Sequence, residues 1–194
     1  MRWNALAPKA LLVLAVAALA ALVVTPPAAA QLLPPNRGAF SFSYASYNPA
    51  LYSLGLAFPI SPAWDATLSY SWQTVGGSTG YLTTLGGRYY IPVQNPMAAS
   101  YLGFGYAGSG ASIPGFGTIN ASGLFFSGGA LLRVAPKVSA YVSATLVSTG
   151  GVSNNVIDAG FQFQLAPTML AQIGSLSLSG SSAPYLGVSL RLAP

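Results

Sequence analysis

The chain has 194 residues, of which 53% are hydrophobic and 5% are charged. A typical soluble domain carries about 25% charged residues, and a soluble protein this poor in charge would aggregate, so the composition disfavours that class. The 7 Lys and Arg residues against 2 Asp and Glu form no cluster of the kind that binds phosphates along a backbone, which argues against a nucleic-acid partner.

The first thirty residues have the pattern of a secretory signal peptide. Arg2 and Lys9 supply the positive n-region, residues 10–24 form an apolar core, and three alanines precede the predicted cleavage site. An uncleaved transmembrane anchor is the alternative, but the apolar run is shorter than the ~20 residues that a spanning helix needs. We therefore predict a signal peptide over 1–30, a lead-in over 31–37 and one exported domain over 38–194.

The exported part alternates apolar and small polar residues, segment after segment. In the segment 64–73, Trp64, Leu68 and Trp72 share one face, and Asp, Thr, Ser and Gln residues share the other. A period of two indicates a β-strand with unlike faces. Because the polar face carries Ser, Thr, Gly and Gln in place of Lys and Glu, we predict that the apolar face contacts lipid and that the polar face lines a barrel lumen.

Two kinds of turn alternate between these segments. Short turns with proline recur at intervals of roughly 30 to 40 residues, and connections rich in Gly, Ser and Asn lie between them, the longest at 108–117. This order predicts an up-and-down antiparallel meander with tight turns at one rim and longer loops at the other. We predict about ten strands, with eight as the competing count, because segments of ~9 to 11 residues suit a tilted membrane-spanning strand. The predicted strands are 38–47, 50–58, 64–74, 81–91, 98–108, 118–133, 137–148, 155–165, 169–178 and 184–193.

Aromatic residues lie at both ends of the third and fourth predicted strands. Trp64 and Tyr89 fall near proline turns, and Trp72 and Tyr81 fall near Gly-rich turns. Membrane barrels place Trp and Tyr at the two edges of their apolar band, since the ring is apolar and its N–H or O–H group needs water. We predict that these four residues belong to aromatic girdles, with ordinary core packing as the alternative.

The predicted lumen contains most of the charged side chains of the exported domain. Asp65, Arg88, Arg133 and Arg191 all point inward near proline turns, whereas Asp158 is predicted to lie alone near the other rim. The four could form a cationic constriction that favours anions. Alternatively, Asp65 pairs with one arginine and the others extend to water.

Small and large residues are expected to fill this lumen by packing across it, as they do in narrow barrels, which disfavours a wide pore. The small set is Gly103, Gly105, Ala107, Gly123, Ser127 and Gly129, and the large set opposite is Tyr90, Phe125, Tyr141 and Tyr185.

The segment Tyr185-Leu186-Gly187-Val188-Ser189-Leu190-Arg191-Leu192 resembles the terminal-strand signal that the bacterial barrel assembly machinery recognises, although Leu192-Ala193-Pro194 replaces the usual aromatic end. Residues 37–194 resemble the small bacterial outer-membrane β-barrels of the OmpA/OmpX-like kind. The resemblance implies an all-β transmembrane barrel, export through the periplasm to the outer membrane, and two partners, outer-membrane lipid and the assembly machinery. It also implies that Tyr185, Gly187, Leu190 and Leu192 act as the assembly signal.

The inventory of reactive side chains disfavours catalysis. The chain has no His and no Cys, and its two carboxylates are predicted at opposite rims, so a nucleophile has no base and a carboxylate pair is missing. Residues 76–80 match the G-x-S-x-G pattern, but they fall in a loop between strands. We predict a non-enzymatic protein without cofactor or metal. A structural or surface-interaction role and a narrow pore with weak anion preference both stay open, and a soluble secreted β-sandwich is the weakest alternative.

Overall fold

The computed structural model describes residues 38–92, 95 and 97–192, so the predicted signal peptide (1–30) and lead-in (31–37) lie outside the described residues. The described chain forms a closed barrel of ten antiparallel strands in which neighbours in sequence pair and the first strand pairs with the last. This confirms the predicted architecture and the count of ten. The strands are β1 (Ala39–Ala45), β2 (Leu51–Ser61), β3 (Trp64–Val75), β4 (Ser78–Ile91), β5 (Ala98–Ile113), β6 (Gly117–Ala135), β7 (Val138–Thr149), β8 (Val152–Ala166), β9 (Met169–Leu178) and β10 (Ser181–Arg191).

The alternation of residue types sets the facing of each strand. Along β3, Asp65, Ser71 and Gln73 are buried inside the barrel, whereas Trp64 and Leu68 are exposed on the outer wall. The same pattern holds on the other strands, so serine, threonine and glutamine line the lumen while leucine, valine, isoleucine and phenylalanine cover the outside. A soluble domain has the opposite arrangement. Within the described residues, no helix is long and apolar enough to cross a membrane.

The two ends of the barrel differ in the chemistry of their turns. The proline-turn end holds the connections 62–63, 92–97, 136–137 and 167–168 together with the start of β1 and the end of β10. The opposite end, called the glycine-turn end below, holds the connections 46–50, 76–77, 114–116, 150–151 and 179–180.

The prediction of longer loops at the glycine-turn end is wrong. The expected loop at 108–117 shrinks to a three-residue turn, because β5 continues to Ile113 and β6 begins at Gly117. Gly76 and Gly77 both have positive φ, as tight hairpin turns require, so two residues suffice there. The flanking Ser, Gly and Thr residues, which look like loop residues in sequence, complete the hydrogen-bond ladders of the strands.

The hairpin of β5 and β6 extends past the other turns at the glycine-turn end. β6 is the longest strand described, with 19 residues, and its pairing with β7 begins at Gly123. Residues 117–121 therefore pair with β5 on one side, and their other edge has no strand partner within the described chain. We call residues 113–121 the hairpin tip.

Tyr47 anchors the five-residue connection between β1 and β2. Its hydroxyl donates to the carbonyl oxygens of Leu176 and Ser181, so the connection folds onto the β9–β10 hairpin. Burial raises the pKa of the Tyr47 hydroxyl to about 12.

Candidate functional site

An ion pair locks part of the lumen near the proline-turn end. The β3–β4 hairpin places Asp65 directly opposite Arg88, and the Arg88 Nη2 atom lies 3.0 Å from the Asp65 Oδ2 atom. The Tyr90 hydroxyl donates to the same oxygen at 2.6 Å. The guanidinium carbon lies 5.3 Å from the ring centroids of both Tyr90 and Tyr101. Arg88 is 2% exposed and Asp65 is 3% exposed, so the pair is closed off from bulk water.

The other two members of the predicted ring lie elsewhere. Arg133 is exposed at the end of β6, and Arg191 is half-buried at the end of β10, where its Nη1 donates to the Pro167 carbonyl oxygen at 3.3 Å. Both line a pocket at the proline-turn end together with Lys137. The four predicted residues therefore form a buried pair and, separately, part of a rim cluster.

The predicted charge ring does not include Lys137, which the sequence places at the start of the seventh strand. The spacing of Lys137 from Arg133 is the feature that could have predicted its place in the cluster. Arg133 and Lys137 flank Pro136, and a tight turn at that proline brings the ends of β6 and β7 together.

Aromatic side chains fill the middle of the lumen, each lying over glycines of adjacent strands. A β-carbon at Gly129 would lie 2.9 Å from the Tyr101 hydroxyl oxygen, and one at Gly105 would lie 2.8 Å from the Phe125 ring. Tyr141 covers Gly160 and Gly174 in the same way. Gly105 and Phe125, which belong to the predicted small and large sets, therefore pack on each other, and they do so from the adjacent strands β5 and β6. The rings lie along the wall, because the glycines remove the side chains that would hold them away from it.

The glycine-turn half of the lumen is closed by apolar side chains. Each of these is at most 4% exposed and together they pack on the aromatic layer. They are Leu51, Leu82, Val147, Val156, Leu176 and Leu178.

Several buried polar atoms in the lumen, on β8, β9 and β10, have few hydrogen-bond partners. Asp158 lies near the middle of β8, and not near a rim as predicted, because β8 begins at Val152. It is 1% exposed, and its Oδ1 accepts a hydrogen bond of 3.4 Å from the Tyr141 hydroxyl. Its Oδ2 atom, the Gln172 amide and the Tyr185 hydroxyl have no hydrogen-bond partner among the described residues. Such groups are costly to bury unless they are hydrated.

The predicted girdle residues lie on the outer wall at two heights. Trp64 and Tyr89 pair across β3 and β4 near the proline-turn end, with ring centroids 5.1 Å apart. Trp72 and Tyr81 pair across the same strands near the glycine-turn end, and the Tyr81 hydroxyl donates to Asn120. The row at this second height continues onto β2 and β1 through Tyr52 and Tyr44.

The predicted assembly signal lies in the strand that closes the barrel. Tyr185 and Gly187 face the lumen, whereas Leu190 and Leu192 face outward. Leu190 lies opposite Phe40 of β1.

The described chain holds no cluster of metal ligands. No three potential metal ligands of the His, Cys, Asp and Glu types come together there. Within the G-x-S-x-G match, Gly76 and Gly77 form the turn of the β3–β4 hairpin, which is not the strand-to-helix turn of a nucleophile elbow.

No protein-family model and no curated protein matches the chain. Solved structures do resemble it. The N-terminal β-barrel domain of Pseudomonas aeruginosa OprF is 15% identical, with 81% of this chain and 98% of that chain covered and a TM-score of 0.44. The KdgM porin in complex with disordered oligogalacturonate is 8% identical, with 80% and 99% covered and a TM-score of 0.50. The attachment invasion locus protein Ail of Yersinia pestis is 13% identical, with 80% and 95% covered and a TM-score of 0.42. At these identities the likeness describes the fold alone, the closed barrel of outer-membrane proteins.

Proposed function

We propose that this protein is an integral outer-membrane β-barrel with a structural or surface-interaction role, whose lumen does not conduct. In this proposal the outer wall is in contact with lipid, the barrel assembly machinery inserts the chain, and β10 carries the signal for that step. The proline-turn end, where β1 starts and β10 ends, faces the periplasm, and the glycine-turn end faces outward. The absence of His from the sequence supports a role without catalysis.

The apolar character of the outer wall supports the membrane location. Its exposed residues include large apolar side chains such as Leu85, Leu124 and Leu186, which are 54–60% exposed. Exposed apolar surface of this extent is rare on soluble monomers. The rows of Trp and Tyr at two heights border this wall on β3 and β4, as membrane interfaces favour.

The two tryptophans of the exported domain provide a direct test of this placement. Trp64 and Trp72 lie outward at opposite ends of β3. We expect each to be quenched more strongly by lipids brominated near the headgroup than by lipids brominated near the chain end, because both rings lie at an interface. The measurement uses Trp64→Phe and Trp72→Phe, which leave one tryptophan each after signal removal. Maximal quenching of either residue at the bilayer centre, or no quenching, would contradict the placement.

The filled lumen is the observation that favours a silent barrel. Tyr101, Phe125 and Tyr141 are each at most 6% exposed, and the apolar layer closes the half beyond them. The ion pair of Asp65 and Arg88 fills part of the lumen near the proline-turn end, where a conducting pore would need open space.

We therefore expect the refolded mature chain to give no single-channel steps in planar bilayers. The mobility of the unboiled protein on a gel checks that the barrel is folded, and quenching of the tryptophans checks that it is inserted. Steady steps of reproducible size from a folded, inserted barrel would exclude the silent role.

A narrow pore with weak anion preference is the second candidate. The buried atoms of Asp158, Gln172 and Tyr185 favour it, since polar atoms without protein partners attract water. Arg133 and Arg191 at the proline-turn end would supply the preference for anions. If steps are seen, Arg133→Ala should reduce that preference, and unchanged ion selectivity would remove the arginine argument.

A further inference from the structure

The rim cluster at the proline-turn end encloses a small pocket. Its charged side chains come from the end of β6, the β6–β7 turn and the end of β10, and its neutral polar side chains come from β7 and β8. The charged residues are Arg133, Lys137 and Arg191, and the polar ones are Ser139, Gln162 and Gln164.

No acidic side chain lines this pocket. The full sequence has two carboxylate side chains, Asp65 and Asp158. Neither of them lines the pocket, and both are at most 3% exposed inside the lumen. Arg133 and Lys137 lie close together around Pro136 in this concave site, so their charges repel each other and focus a positive potential, and an anion in the pocket would lower the electrostatic free energy.

The donors and the size of the pocket match an oxyanion. Arginine presents a planar fork of N–H groups, lysine presents an ammonium, and glutamine and serine add neutral donors, all of which suit phosphate or carboxylate oxygens. The cavity has a volume of about 40 Å³. A single water needs ~10–15 Å³ of such space, so the pocket admits one small charged group. Leu131 and Leu170 form its apolar lining.

We propose that this pocket, which we call the rim pocket, is a binding site for a phosphate-type oxyanion at the periplasmic end of the barrel. The group can belong to a free anion or to the headgroup of an anionic phospholipid in the adjacent leaflet. The pocket lies at the proline-turn mouth of the lumen, where Gln162 and Leu170 are buried, and its assignment to the periplasmic side rests on the orientation proposed above.

Calorimetric titration of the folded mature barrel with inorganic phosphate tests the proposal. The titration is run in a neutral detergent with 0.1 M NaCl, where charges more than ~10 Å apart are largely screened. We expect saturable binding, weakened roughly tenfold or more in Arg133→Gln/Lys137→Gln, because charge-assisted hydrogen bonds are lost.

The chain offers a control with the same net charge. Thr118 and Ser153 are exposed at the glycine-turn end, so Thr118→Asp/Ser153→Asp adds two negative charges far from the pocket and lowers the net charge by the same two units. This variant should bind phosphate within about twofold of the native affinity. The proposal is overturned if the native barrel shows no saturable binding, if both double variants lose affinity equally, or if neither does.

A second titration distinguishes the two sources of the anion. The native barrel is placed in phosphatidylcholine nanodiscs with and without phosphatidylglycerol. If headgroups occupy the pocket, phosphatidylglycerol competes and weakens phosphate binding. Equal phosphate affinity in both discs assigns the pocket to soluble anions.

Discussion

Replacing Asp65 with alanine should destabilise the folded barrel by about 3–5 kcal/mol, because it leaves a buried charge without its carboxylate. Arg88 would remain 2% exposed between the rings of Tyr90 and Tyr101, and the Tyr90 hydroxyl would lose the oxygen to which it donates. Urea unfolding of the barrel in lipid vesicles, followed by circular dichroism and by gel mobility, measures the free energy of unfolding.

Two further variants isolate the cause. Asp65→Ala/Arg88→Leu removes both charges and should recover most of the lost stability, since an apolar pair of similar volume often replaces a buried ion pair at little cost. Arg133→Ala removes an exposed arginine and should change the free energy by less than about 0.5 kcal/mol. If Asp65→Ala proves as mild as Arg133→Ala, Arg88 is hydrated, and the pore becomes the better description of the lumen.

Substitution of Gly105 by alanine should cost about 3 kcal/mol, since the new methyl group has no free space. A β-carbon there would meet the carbonyl oxygen of Leu85, the Cα atom of Gly86 at 2.5 Å and the Phe125 ring at 2.8 Å. Two of these contacts are with the backbone of β4, which rotamer changes cannot relieve, so the ladder between β4 and β5 must open. The free energy of unfolding in urea is again the measured quantity.

The same strand provides a matched control. Gly108 lies on β5, three residues further along, and a β-carbon there has no atom within 4 Å. Gly108→Ala should be neutral or stabilise by up to about 1 kcal/mol, because alanine reduces the entropy of the unfolded chain. Equal changes in the free energy of unfolding at both positions would show that the packing of the aromatic rings does not depend on the glycines beneath them.

The facing of the strands could be read from the sequence because a period of two leaves two possibilities for each strand, and the Trp-to-Gln segment at 64–73 distinguishes them. The length of the turns could not be predicted from the sequence, because the Gly and Ser residues at 108–113 suit a loop and a lumen-facing strand equally. A turn differs from a strand in its backbone angles, and in the β5–β6 hairpin only Gly115 and Gly117 have positive φ.

The ion pair was open to prediction in principle. Asp65 and Arg88 are equidistant from the Gly76-Gly77 turn, so a two-residue hairpin at that turn places them opposite each other. The composition of residues 75–80 instead predicts a loop, which leaves the arginine partner of Asp65 undecided. The packing of Tyr101 on Gly129 could not be predicted from turn positions, because it depends on the direction in which the ring lies along the curved wall.

The shortness of the turns also determines where the chain can be cut or lengthened. Proteases and inserted peptides both need a segment of backbone that can leave its hydrogen-bond ladder, and most connections in this barrel have two residues. The hairpin tip differs, because its β6 edge is paired on one side alone and the turn at 114–116 projects past its neighbours. A folded barrel of this kind resists nicking at its two-residue turns, and an epitope added to the glycine-turn end for display belongs at the turn 114–116.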